Sequence, residues 1–119
     1  VLVVLALAGC VETVPHVSFG PLRDPLSRFD VVATRFVHRH GAVVDRDHGT
    51  ITVPTRRCGS ASMVIRFYRE GWVDVALAGD DAASCFHTSD EGYALGRGAR
   101  NEYVECVRTV GEAIGEPIR

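Results

Sequence analysis

SMVIRFYREGWVDVALAG, residues 62–79, is the stretch on which the fold of this chain turns. Met63, Ile65 and Phe67 recur at every second position before the glycine, and Val73, Val75 and Leu77 do so after it. A period of two in apolar residues marks a strand with one buried face. The link between the two runs then sets their register. A two-residue loop would place Asp74 opposite Phe67. A three-residue loop, Arg69-Glu70-Gly71, with Gly71 at positive φ, pairs Phe67 with Val73, Ile65 with Val75 and Met63 with Leu77. The second choice puts both apolar sets on one face, so the hydrophobic pattern selects the bulged turn.

Working upstream, AVVDRDHGTITVP (42–54) is another hairpin, the first in chain order, which makes 62–79 the second. Val43 and Val44 open one strand, Asp47-His48-Gly49 turns the chain, and Ile51 and Val53 alternate with Thr50 and Thr52 on the return. Before it lies DPLSRFDVVATRFVHRHG (24–41). Asp24 suits an N-cap and Pro25 the first helical position. Phe29, Val32, Ala33, Phe36 and Val37 fall at i, i+3, i+4, i+7 and i+8, which is one apolar face of a helix. Gly41 is a natural stop, and His38, Arg39 and His40 favour the negative end of the helix dipole.

Downstream, RGARNEYVECVRTVGEAIGEP (97–117) reads as a last helix. Tyr103, Cys106, Val107, Val110 and Ile114 form its apolar stripe. Glu105 with Arg108, and Arg108 with Glu112, are pairs at helical spacing. Gly111 inside it costs about 1 kcal/mol relative to Ala, which close packing against the sheet would explain. Residues 79–98 are less regular: GDDAASCF (79–86) suits a short turn capped by Asp80, and YAL (93–95) a short strand. The expected order is helix, hairpin, hairpin, helix. That is an α+β domain over residues 25–119: a two-layer sandwich with an antiparallel sheet of about four strands and the N-terminal and C-terminal helices on one face.

The chain has 119 residues, the size of one domain, with 46% hydrophobic and 24% charged residues. Its formal net charge of −2 gives no electrostatic pull toward nucleic acid. All 13 basic residues are arginine. They are scattered, which fits a GC-rich codon bias better than a phosphate-binding site.

The first ten residues, VLVVLALAGC, need a separate account. Eight apolar residues are too few to span a bilayer, which takes about 20, but suit the hydrophobic region of a signal peptide. Leu7-Ala8-Gly9-Cys10 resembles the lipobox of bacterial lipoproteins at all four positions. The resemblance implies a diacylglycerol on the Cys10 thiol, cleavage between Gly9 and Cys10, and acylation of the new amino terminus. Two or three acyl chains anchor stably, whereas one is marginal. The sequence departs from the pattern in that it opens on Val1 rather than a methionine and has no basic residue before Cys10. Val11, where an Asp would imply inner-membrane retention, implies the outer membrane, facing the periplasm. The expected divisions are a signal peptide over 1–9, a lipidated cysteine and tether over 10–24 with breakers at Pro15, Gly20 and Pro21, and the domain after them.

An oxidising periplasm allows a disulfide among the other cysteines. Extending the second hairpin outward brings Cys58 near residue 82, so Cys58–Cys85 is the expected bridge, with Cys85–Cys106 as the alternative. Cys58, Cys85, His87 and Cys106 lack the spacing of a zinc site, and no metal or cofactor is expected. Ser84, Cys85, His87 and Asp90 lie close in sequence without a nucleophile elbow, and no enzyme is expected. Asp80, Asp81, Asp90 and Glu91 lack calcium-loop spacing, and GYALGRG (92–98) lacks a phosphate-loop ending. Trp72, at the second hairpin's tip, either contacts a partner or packs on Tyr68 across the strand pair. These readings lead to a non-catalytic envelope lipoprotein that meets a protein or cell-wall partner. The alternative is a small-ligand or metal-binding periplasmic domain that uses the 79–98 loop.

Overall fold

The structure, a computed structural model, describes residues 16–56, 61–79 and 93–115, with the backbone alone at His40 and over 93–100. Among the described residues the chain forms β1 (His16–Phe19), α1 (Pro25–His40), β2 (Val43–Asp45), β3 (Thr50–Pro54), β4 (Ser62–Phe67), β5 (Val73–Ala78) and α2 (Tyr93–Gly115). The strands make one antiparallel sheet in the order β1-β5-β4-β3-β2. The architecture is α+β: a five-stranded antiparallel sheet with two helices.

The β4–β5 hairpin has the register that its apolar pattern requires: Phe67 faces Val73, Ile65 faces Val75 and Met63 faces Leu77. The Tyr68 amide donates to the Trp72 carbonyl at 2.8 Å, and the Gly71 amide to the Tyr68 carbonyl at 2.9 Å, closing the three-residue loop. Gly71 has φ 101°, and a Cβ there would lie 2.6 Å from the Leu22 carbonyl oxygen. Both the turn and its close neighbour therefore require glycine.

Alternation then separates two faces. Val44, Ile51, Ile65, Val75 and Val17 form one row across all five strands. Ile51, Ile65 and Val75 in that row are fully buried. They join one core with Phe29, Val32, Ala33 and Phe36 of α1 and Tyr103, Cys106, Val110, Ala113 and Ile114 of α2. The two helices also pack against each other, α1 lying over β2 and β3 and α2 over β5. Burying a side chain of this size stabilises by about 1.5–3 kcal/mol.

Helix α1 has the ends that its sequence dictates. The Asp24 carboxylate accepts from the Ser27 amide and hydroxyl, Pro25 sits in the first turn, and Gly41 closes the helix in the left-handed conformation. Val37 departs from the expected stripe and is 45% exposed. It lies about 80° round the helix from Phe29, on the rim of the apolar face. On α2, Arg108 pairs with both Glu105 and Glu112.

Two expectations need correction. The sheet has five strands rather than four, because β1 lies in the segment read as a tether. Val17 and Phe19 alternate there with His16 and Ser18, a signal hidden by flanking Pro15, Gly20 and Pro21. Breakers beside a short strand suit a sheet edge, and β1 is an edge. The tether therefore cannot extend through residue 24. Secondly, YAL at 93–95 is the first turn of α2, not a strand; Ala and Leu are strong helix formers. Gly111 packs against the sheet as expected, at β1: a Cβ there would meet the Phe19 ring at 3.4 Å. The turn expected at 79–86 lies, beyond Gly79, outside the described residues.

Candidate functional site

One end of the sheet gathers the β2–β3 turn, the β4–β5 loop, the Gly20–Asp24 segment and the start of α1. Backbone contacts stitch this end together. The Leu22 amide donates to the Gly71 carbonyl and the Phe67 amide to the Gly49 carbonyl, each at 2.8 Å. Gly20 approaches the same loop so closely that a Cβ would sit 2.7 Å from the Gly71 oxygen. The loops are thus held rigidly enough to present side chains in fixed places.

A groove of 510 Å³ opens between α1 and the two turns. Phe29 and Phe67 line it and meet edge to face, with centroids 5.2 Å apart and planes at 78°. Arg46 stands over the Phe29 ring, 5.6 Å from its centroid, and pairs with Asp30. Leu26 and Tyr68 line the outer part. Leu26 is 81% exposed, Tyr68 38% and Trp72 44%. Exposed aromatic and leucine side chains gathered at a rigid end are the features of a contact surface.

Tyr68 and Trp72 are backbone partners at the mouth of the loop. Among the described residues the ring–ring contact is Phe29 with Phe67. Tyr68 hydrogen-bonds to Asp74. Asp74 is the hub of the outer face. It accepts from Ser18 Oγ at 2.6 Å and lies 3.3 Å from His16 Nε2. Burial alone would push this carboxyl up, but the hydrogen bonds from Ser18, His16 and Tyr68 outweigh it and hold the group below the usual carboxylate range. Here the carboxylate contacts both serine and histidine, so the cluster pins β1 to β5 and has no serine–histidine relay of the kind a nucleophile needs.

The helix side bolts the same seam. Tyr103 Oη donates to the Val75 carbonyl at 2.7 Å and also hydrogen-bonds to the Val17 backbone. Burial, with Cys106 nearby, pushes its phenol up to about 12. The Cys106 thiol is free and buried, and burial pushes it up to about 12 as well. A thiol of this kind is a packing group, not a nucleophile. It lies at the base of a second cleft, of 360 Å³, between α2 and the end of β3. Phe36, Val53 and Met63 complete the apolar wall, and Arg56, whose amide donates to Glu102 at 2.8 Å, lies at the rim.

His48 is a turn residue. Its Nδ1 lies 2.8 Å from Asp45, and this contact is the main reason the Asp45 carboxyl sits below its ordinary value. His38 is exposed on α1. Among the described residues no group of three or more His, Cys, Asp or Glu side chains could hold a metal ion. Cys10, Cys58, Cys85, Ser84, His87, Asp80, Asp81, Asp90 and Glu91 lie outside the described residues. The free Cys106 is not in the Cys85–Cys106 arrangement. Sequence reasoning missed Leu26 and the Asp74 hub. Leu26 lies one turn before Phe29, on the rim of the same stripe, and its exposure shows only once the first turn of α1 is placed. Asp74 becomes informative only once β1 is placed beside it. Among the described residues no helix is long and apolar enough to cross a membrane. No protein family, curated protein or solved structure matches the chain.

Proposed function

We propose that this chain is a non-catalytic bacterial envelope lipoprotein: a small two-layer α+β domain tethered through a lipidated Cys10, without cofactor, on the periplasmic side of the outer membrane. The observation that carries the reading is the complete lipobox, Leu7-Ala8-Gly9-Cys10, at the end of a short apolar run. The exposed end with Leu26, Tyr68 and Trp72 supports an interaction role, since tethering gives even a modest contact surface a high effective concentration at the membrane. A Cys58–Cys85 bridge fits the same oxidising compartment. The test is fractionation of cells expressing the full chain behind a complete signal sequence. The expected result is a membrane-bound protein that high salt does not release and that Cys10→Ser turns soluble. A soluble parent protein would reject the anchor.

The cleft beside Cys106 favours a second reading, a small-ligand domain, because an apolar base with a polar rim suits a small molecule. That reading predicts a saturable rise in Tm with some member of a small-metabolite panel, lost in Thr109→Trp, which fills the cleft. No such rise is expected if the domain acts through its surface.

A further inference from the structure

Leu26, Tyr68 and Trp72 are the exposed large apolar side chains of the hairpin end, and they stand among charged ones. Trp72 and Tyr68 are the amphipathic residues that settle at the headgroup level of a bilayer. Leu26 is the most exposed of the large apolar side chains there. The charges nearby largely cancel: Arg46 pairs with Asp30, His48 with Asp45, and Arg69 is followed by Glu70. Nothing in that balance selects a strongly acidic or basic partner.

The placement of the anchor identifies what lies within reach. β1 begins at His16, so five residues separate it from Cys10. Such a segment extends no more than about 20 Å. His16 pairs with Ala76, and Trp72 lies four residues along the chain from that position, about 14 Å in strand rise. The aromatic end therefore lies closer to the start of β1 than the tether is long. With the hairpin end on the bilayer, the start of β1 stays within the tether's reach of the anchor.

We propose that the hairpin end, Trp72 and Tyr68 with Leu26, rests in the headgroup region of the bilayer that holds the lipid anchor. The domain would then rest on the end of the sheet that carries the β2–β3 turn and the β4–β5 loop. This rests on the anchor reading above and names the partner of the same surface. Binding is driven by apolar burial, so it is insensitive to salt, and it depends on the acyl anchor because three side chains alone bind weakly.

The chain has one tryptophan, which makes Trp72 a direct probe. The experiment reconstitutes the full-length lipidated protein into phosphatidylcholine vesicles with brominated acyl chains, after intact mass has shown the lipid. The expected result is a blue-shifted Trp72 emission that loses intensity relative to unbrominated vesicles, at low and high salt alike. Cys10→Ser at the same lipid concentration shows neither change. Leu26→Asp, at a site exposed enough to leave folding intact, keeps the anchor and reduces the quenching. A lipidated, vesicle-bound protein whose emission matches the Cys10→Ser protein overturns the membrane contact and leaves the anchor standing. A protein that gains no acyl mass overturns both.

Discussion

The two faces of the sheet are built from the same strands and carry opposite chemistry. On the inner face, Val44, Ile51, Ile65, Val75 and Val17 run in one apolar row beneath the helices. One residue along, Asp45, Thr50, Arg66, Asp74 and Ser18 form a polar row on the other face. The inner row supplies stability through area removed from water. The outer row adds specificity, because Asp74 holds β1 in place through Ser18 and His16. The contrast shows where function can be sought. Side chains that the core does not need, such as Trp72, Tyr68 and Leu26, are free to serve a contact.

This division is most exposed to challenge at its centre. Ile65→Ala, at a fully buried site, is expected to cost about 2–5 kcal/mol by denaturant unfolding. A value under about 1 kcal/mol would mean that the inner row is not the core. Next in size is the loop that joins β4 to β5. Gly71→Ala forces a Cβ against the Leu22 carbonyl at positive φ, with an expected loss of about 1–3 kcal/mol. A neutral substitution would show that Leu22 does not clasp the loop.

Asp74→Asn tests the outer hub, with an expected loss of about 1–2 kcal/mol at neutral pH. The pH dependence follows from the lowered carboxyl. Its stabilisation is present above the unfolded value and is lost as pH falls below 3.8 through the folded one. The parent should therefore show an acid loss in that range that Asp74→Asn lacks, with Arg66 opposite and His16 alongside unchanged. Matching acid limbs in the two proteins would remove the hub. Smallest of all, Leu26→Asp should change stability by less than about 0.5 kcal/mol. A larger loss in a Tm comparison would place Leu26 in the core rather than on a contact surface.

Much of this fold is legible residue by residue. Asp24, Pro25 and Gly41 bound α1 because capping is local chemistry. Phe67 opposite Val73 follows from the need to keep two apolar sets on one face. β1 is less legible because four residues carry only two inward positions, Val17 and Phe19, and breakers surround them. Its reason for being a strand is nonlocal: the β5 edge, the Phe19–Gly111 contact and the Tyr103 hydroxyl. The candidate site divides the same way. Trp72 and Tyr68 stand out at a hairpin tip, whereas Leu26 joins them only when α1 is placed beside the turn. Cys10 belongs to neither class, since its meaning lies in a four-residue resemblance.

The proposed function stands or falls with lipidation of that cysteine. Intact mass decides it, taken on the full chain expressed in a bacterial host behind a complete signal sequence, with and without reductant and alkylation. The expected protein starts at Cys10, carries the mass of two or three acyl groups, and has two of its three remaining cysteines protected from alkylation until reduced. An unacylated chain that retains residues 1–9 would contradict the lipid anchor and, with it, the envelope setting.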